Sequence, residues 1–135
     1  MYRVLKIMPL ILSLLGCDVK HPGLWKSGEY DCKHCKMQIE DLRFKTAVIT
    51  KKGKLVSFDS IECLLEWSKK NNLQIKDSFV ADFNRPNDWI KFKKSFILQS
   101  NKRPSPMGSG FSAYSSQDEL LKALNVLGGK QINIP

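Results

Sequence analysis

Histidine is scarce in this 135-residue chain, which contains only two, His21 and His34. His21 lies in a segment with proline and glycine, and His34 lies between two cysteines, so neither has an obvious nucleophilic partner. A catalytic triad needs a histidine within hydrogen-bond reach of its nucleophile and oriented by a third group. The sequence therefore lacks a hydrolase triad, and we expect a protein that is not an enzyme.

A hydrophobic run long enough to cross a bilayer is also lacking, since the apolar run at residues 7–15 is too short. Two basic residues precede this run, and the segment Leu-Leu-Gly-Cys that ends at Cys17 resembles a bacterial lipobox. We predict a signal peptide over residues 1–16 and lipidation of Cys17; the alternative is an ordinary signal peptide whose cleavage site contains a cysteine. Several acyl chains would hold the protein at a membrane, facing the periplasm or the cell exterior. Asp18 favours the inner membrane in a Gram-negative cell.

Acidic residues are outnumbered, with 13 Asp and Glu against 22 Lys and Arg. Removal of residues 1–16 would take away two cations and no anions, which leaves a formal charge of +7. The lysines are scattered along the chain, and export separates the protein from the genome, so we predict no nucleic-acid partner. A basic surface beside anionic lipid accounts for this charge.

Cysteines are odd in number once Cys17 is set aside, because Cys32, Cys35 and Cys63 remain. An odd number of thiols in an exported protein argues against a framework built only from disulfides. It favours a site that keeps its thiols available. The segment Cys32–Met37 also aligns two thiols and a thioether as C-x-x-C-x-M, and such ligands favour a soft metal, above all Cu(I).

The apolar pattern divides the rest of the chain into two similar halves, each predicted as strand, strand and helix in an α+β fold. A further strand is predicted between the halves, at residues 79–83. The domain is predicted to span residues 31–129, after a lipidated tether at 17–30 and before a tail at 130–135. The predicted ranges are 31–75 for half one, with strands 44–50 and 55–58 and helix 60–71, and 76–129 for half two, with strands 95–100 and 110–114 and helix 117–127.

Helix caps and one long loop complete the pattern. Asp59 and Glu62 are predicted to cap the first helix, and Ser116 and Glu119 to form a capping box on the second. The loop at residues 101–109 of the second half contains Met107 among prolines and glycines, where no helix or strand face is available to bury it.

Several chemistries remain open for the cysteines. A structural Zn(II) site would use all three, with Asp59 as a fourth ligand, although helix capping is the simpler role for Asp59. A thioredoxin-like pair would need the C-x-x-C motif at the start of a helix after a buried strand, and residues 24–31 do not have that pattern. Organomercurial cleavage would need an acid such as Asp59 beside the thiols, and no sequence pattern places it near Cys32.

Cu(I) binding is the hypothesis that the methionines support. Met37 follows the cysteines closely, and Met107 lies in the long loop of the other half. Cu(I) accepts two or three soft ligands, which leaves an approach open for a receiving protein. We expect His34 to be solvated, because a histidine between two such cysteines normally points away from both.

Four segments in this order carry a family resemblance: Cys32–Met37, FDSIEC at 58–63, VADF at 80–83 before Trp89, and SPMGSGF at 105–111. Together they resemble the NosL family, the accessory lipoproteins of nitrous oxide reductase, with Lys36 where glycine is usual. The resemblance implies two similar units related to the organomercurial lyase fold. It also implies an exported Cu(I) chaperone whose partner is an apo copper enzyme, most of all nitrous oxide reductase, or its assembly machinery.

The resemblance also implies a ligand set. The copper ligands implied by the matching motifs are Cys32, Cys35, Met37 and Met107. Less favoured candidates are Cys63, Asp59 and His34, and Zn(II) is the alternative metal.

Overall fold

The computed structural model describes residues 19–134, so the predicted signal peptide and Cys17 lie outside the described residues. No helix in this range is long and apolar enough to cross a bilayer. Two short 3-10 helices, Asn72–Gln74 and Phe92–Lys94, accompany the regular elements. These elements are β1 (Thr46–Thr50), β2 (Leu55–Phe58), α1 (Ile61–Asn71), β3 (Ile75–Ala81), β4 (Trp89–Lys91), β5 (Phe96–Gln99), β6 (Phe111–Tyr114), α2 (Gln117–Leu127) and β7 (Lys130–Ile132).

Both sheets are antiparallel and follow the same plan. The first has the strand order β2-β1-β3-β4 and the second β6-β5-β7. In each half a hairpin is followed by a helix, and the chain then returns to pair with the free side of the first strand. The predicted α+β fold with two similar units is thus confirmed, and each unit gains a strand: strand, strand, helix, strand.

The second half ends in a strand where the sequence predicts a tail. Lys130–Ile132 forms β7 on β5, which would otherwise present unpaired backbone groups on that side. Gly129 makes this return possible, because it has a φ of +103° and a Cβ there would lie 2.1 Å from the Gln99 carbonyl oxygen. The tail prediction is therefore wrong for residues 130–132.

The predicted tether is also packed over much of its length. Trp25 is only 4% exposed, and its ring lies 5.0 Å from that of Trp89 and 4.3 Å from that of Tyr30. The Trp89 indole N–H donates to the Gly23 carbonyl at 2.7 Å. Because burial of a large aromatic side chain stabilises a fold strongly, residues 23–30 belong to the domain.

The strand predicted at residues 79–83 begins and ends earlier, at Ile75 and Ala81. Asp82 turns the chain away from the sheet, since its carboxylate accepts from the Asn84 N–H at 3.0 Å and pairs with Arg85 at 2.6 Å. The following strand, β4, was not predicted from the sequence.

Helix α1 lies between the two sheets and brings its N-terminus to the site described below. Leu64 of α1 belongs to the main core together with Val48 of β1 and Ile97 of β5. On the opposite face of the second sheet, Leu98 packs with Leu120 of α2. Adjacent residues of β5 thus face different helices, as the alternation of side chains along a strand requires.

Candidate metal centre

Cys32 and Cys35 lie at the tip of a small hairpin formed by residues 28–39. The Cys32 N–H donates to the Met37 carbonyl at 2.8 Å, and the Lys36 N–H donates to the Cys32 carbonyl at 2.9 Å. The Cys35 N–H also points at Cys32 Sγ, at 3.5 Å. These bonds close a tight turn that holds the two sulfurs together.

Lys36 has a strained backbone conformation in this turn. Its φ is 67°, and within residues 19–134 it is the only residue other than glycine with a positive φ. A side chain in the left-handed region costs about 1–2 kcal/mol, whereas glycine adopts it readily. The conformation explains why glycine suits this position of the motif.

Cys63 reaches the same place from the first turn of α1. Ser60, and not Asp59, is the N-cap of this helix, because Ser60 has extended backbone angles and its Oγ accepts from the Cys63 N–H at 3.3 Å. The predicted capping role of Asp59 is therefore wrong. Asp59 lies one residue before the cap, so its carboxylate is free to face the cysteines.

Glu62 also differs from its predicted capping role. Its Oε1 accepts from the Ser109 N–H at 3.2 Å, 47 positions away along the chain. This bond ties the end of the Met107 loop to the first turn of α1, next to Cys63. By contrast, Ser116 caps α2 as predicted, with its Oγ accepting from the Glu119 N–H at 3.3 Å. The Glu119 carboxylate binds Arg85 and Ser115.

The result is a compact cluster of three thiols and one carboxylate. One ligand atom from each of its members lies within 4.8 Å of the others. Cys35 Sγ is 3.7 Å from Asp59 Oδ2, to which it donates. The other carboxylate oxygen, Asp59 Oδ1, is buried and has no hydrogen-bond partner among the described residues. The members are Cys32, Cys35, Asp59 and Cys63.

Burial controls the protonation of this cluster. Burial raises the pKa of the Cys63 thiol far above its usual value, and it is also the main cause of the raised pKa of Cys35. Both thiols are therefore protonated at neutral pH when no metal is bound. A metal ion has to displace these protons, so binding releases protons and strengthens as the pH rises.

The donor set fits a thiophilic metal ion. Three thiolates suit Cu(I), which accepts two or three soft ligands. Three thiolates and a carboxylate also suit tetrahedral Zn(II), and a carboxylate oxygen of Asp59 lies within the cluster. All three cysteines in the described range are free. The thioredoxin-like arrangement is wrong for this chain, because the C-x-x-C motif lies in a hairpin and not at the start of a helix.

The methionines lie at the surface. Met37 is 60% exposed and Met107 is 43% exposed, and His34 is exposed as expected. Their roles as ligands stay predictions. From the sequence, Cys63 and Asp59 are only weaker candidates for ligands. Ser60, three residues before Cys63, is also a favourable N-cap residue, and a cap at Ser60 would leave the Asp59 carboxylate available for the site.

The chain is similar to one known protein family in both sequence and fold. A model of the NosL family matches residues 26–134. The crystal structure of the copper chaperone NosL from Shewanella denitrificans has a similar fold, with a TM-score of 0.71 and 18% sequence identity over 83% of this chain and 92% of that one. A comparison with curated proteins finds no match.

Proposed function

Because the chain belongs to the NosL family, we propose that it is a lipid-anchored extracytoplasmic protein that binds Cu(I) and delivers it to an exported copper enzyme. Nitrous oxide reductase is the first candidate for that enzyme. The protein is a metal carrier and not an enzyme. One observation carries the proposal: thiols from two segments that are distant in sequence, Cys32 with Cys35 and then Cys63, meet in a single cluster.

The cluster supports tight holding of the metal. Cys32 and Cys63 are each 1% exposed, so two of the three thiolates are shielded from competing ligands in solution. Because Cu(I) prefers sulfur to oxygen, the thiolates are its ligands, and before the ion binds Asp59 orients the Cys35 thiol by accepting its hydrogen bond. The similarly folded Shewanella protein is described as a copper chaperone, which agrees with this assignment.

Delivery needs one ligand that a receiving protein can reach. Cys35 is partly exposed, unlike the other two cysteines. A thiolate or thioether of the receiving protein can replace it first, while Cys32 and Cys63 retain the ion. The exposed thioethers of Met37 and Met107 are suited to hold the ion during this exchange, because Cu(I) tolerates two or three ligands in open geometries.

Zn(II) binding is the second candidate. Asp59 Oδ1 is buried without a partner among the described residues, and an unsatisfied buried polar group costs about 1–3 kcal/mol. Coordination of Zn(II) by this carboxylate and the three thiolates would remove that cost. Such an ion would join the hairpin to α1 and stabilise the fold.

Anaerobic titration of the reduced, metal-free protein with Cu(I) and with Zn(II) tests the two candidates. We expect one Cu(I) to bind tightly in competition with a chromogenic chelator, and Cys63→Ser to weaken binding by at least about tenfold. Met107→Ala should weaken it less and speed loss of the ion to the chelator. Val126→Ala, an exposed residue on α2, is the control. Zn(II) binding alone, with unfolding on its removal, would support the structural role instead.

The lipid anchor and the client, which is the enzyme that receives the copper, need separate tests. Cys17→Ala should move the protein from the membrane fraction to the soluble fraction and abolish acyl labelling. The loaded protein should restore the visible absorption of copper-free nitrous oxide reductase faster than the same amount of chelated Cu(I) does. Equal rates from both copper sources would argue against this client, and an unchanged membrane fraction would argue against lipidation.

A further inference from the structure

A groove with a volume of about 780 Å³ lies beside the cysteine hairpin. It is bounded by β2, by the turn between β1 and β2 and by the residues that follow α1. Its size falls within the range of sites that hold ligands or peptide side chains. Its lining includes an apolar surface formed by Leu55, Val56, Trp67 and Leu73.

The rim of this groove is strongly basic. Five exposed lysines line it, and Asp31 is the only acidic residue among its lining residues. No salt bridge to any of these lysines occurs among residues 19–134. A concave surface with one sign of charge focuses the electrostatic potential and raises the association rate of an oppositely charged partner. The lysines are Lys33, Lys36, Lys51, Lys52 and Lys54.

The wall of the groove is an edge strand. β2 is the outermost strand of its sheet, and one part of its free side already receives another segment, since the Lys33 N–H donates to the Ser57 carbonyl at 2.8 Å. Toward Leu55 the same edge faces the groove. An extended peptide can add to such an edge through backbone hydrogen bonds, with alternate side chains entering the apolar surface.

The position of the anchor distinguishes a protein partner from a membrane. The chain leading from Cys17 enters the domain at the β4 edge, where Gly23 accepts from the Trp89 indole. β4 and β2 are opposite edges of the same sheet, about 14 Å apart at the usual strand spacing. The basic groove therefore lies at the sheet edge opposite the one that the proposed anchor segment joins.

We propose that this groove docks an acidic, extended segment of the protein that receives the metal, and that docking places the acceptor's ligands beside Cys35. The inference rests on the proposed delivery function and adds a recognition surface to it. Cys32 lines the groove, so a segment bound there lies next to the metal cluster. Charge steers the encounter, and the apolar surface with the strand edge fixes the register.

The test compares two triple variants of the full chain with matched charge. Lys51, Lys52 and Lys54 are changed to glutamine in the groove variant, because none of these lysines belongs to the metal cluster. Lys93, Lys94 and Lys122, also exposed, are changed to glutamine in the control variant. Copper transfer from each loaded protein to copper-free nitrous oxide reductase is followed by absorption at low and at high ionic strength. Binding of each variant to vesicles of one part phosphatidylglycerol and three parts phosphatidylcholine is measured separately.

We expect the groove variant to transfer copper about tenfold more slowly than the wild type at low salt, and the control variant to differ by less than about twofold. Added salt should close the gap. Equal slowing of both variants would overturn the proposal, because net charge would then explain the effect. It would also be overturned if the groove variant lost vesicle binding but kept its transfer rate. Unchanged Cu(I) affinity in both variants separates failed docking from failed copper binding.

Discussion

Asp59 shows how a shift of one residue in a helix start changes the chemistry available at a site. The sequence offers two neighbouring cap candidates, Asp59 and Ser60, and both residue types are favoured at that position. In the structure Ser60 takes the cap. The carboxylate of Asp59 is released to the thiols, where Cys35 donates to it.

The first prediction separates these two residues. Ser60→Ala should lower the free energy of unfolding of the metal-free protein by about 1 kcal/mol, because the Cys63 N–H loses its cap. Asp59→Ala should change it by less than about 0.5 kcal/mol, because it removes a buried carboxylate that is only partly satisfied. Urea denaturation of both variants measures the difference. A larger loss in Asp59→Ala than in Ser60→Ala would contradict the assignment of the cap.

Lys36 provides the second prediction. Lys36→Gly should raise the free energy of unfolding by about 0.5–1 kcal/mol, since relief of the left-handed strain exceeds the added entropy of the unfolded chain. Lys33→Gly is the control and should destabilise the protein, because Lys33 has no positive φ. Thermal unfolding of the metal-free proteins measures both effects. A loss of stability in Lys36→Gly would show that the lysine contributes more than its backbone costs.

At the level of elements, the internal repeat is more complete than local patterns indicate. β3 and β7 occupy equivalent places, each pairing with the first strand of its own half. The sequence pattern locates the hairpins and helices because their periodicities are local. It does not locate β7, since Lys130–Ile132 is short and its apolar content is low. Residues 130–132 form a strand because the side of β5 that does not pair with β6 accepts them.

Two adjacent glycines before β7 give the third prediction, with a built-in control. Gly128→Ala should cost about 1 kcal/mol, because φ is +67° and nothing lies within 4 Å of the added Cβ. Gly129→Ala should cost clearly more, because its Cβ would meet the Gln99 carbonyl oxygen at 2.1 Å. Hydrogen exchange should then rise in β5 and β7 of Gly129→Ala alone. Similar losses in both variants would mean that β7 is dispensable for the second sheet.

At the level of the whole molecule, Arg85 joins the two halves. It lies in the turn between β3 and β4 and contacts Glu119 of α2 through both carboxylate oxygens, at 2.8 and 2.9 Å. It also pairs with Asp82 at 2.6 Å. The hydrogen bond from Arg85 is the main cause of the low pKa of Glu119, about 2.

The fourth prediction concerns acid stability. The unfolded pKa of a glutamate is about 4.3, so Glu119 binds fewer protons when folded than when unfolded between that value and about 2. The contribution of Glu119 to the free energy of unfolding is complete above that pH window and is lost as the pH falls through it. Glu119→Gln should therefore show a smaller loss of stability between pH 5 and pH 2 than the wild type. Asp118→Asn, an exposed change in the same helical turn, should leave the slope unchanged; equal slopes in all three proteins would contradict the role of this ion pair.

The sequence by itself determined the features that depend on neighbouring residues: both hairpins, both helices, the Ser116 cap and a C-x-x-C motif suited to a thiophilic metal. Only the tertiary structure decided which groups share the site. α1 packs between the two sheets, which carries Cys63 to a hairpin whose first cysteine lies 31 positions earlier, and Ser60 takes the cap, which frees Asp59. The basic groove likewise exists because β2 is an edge strand beside that hairpin. Local periodicity depends on residues that are close together in the sequence, whereas long-range contacts depend on how the completed elements pack.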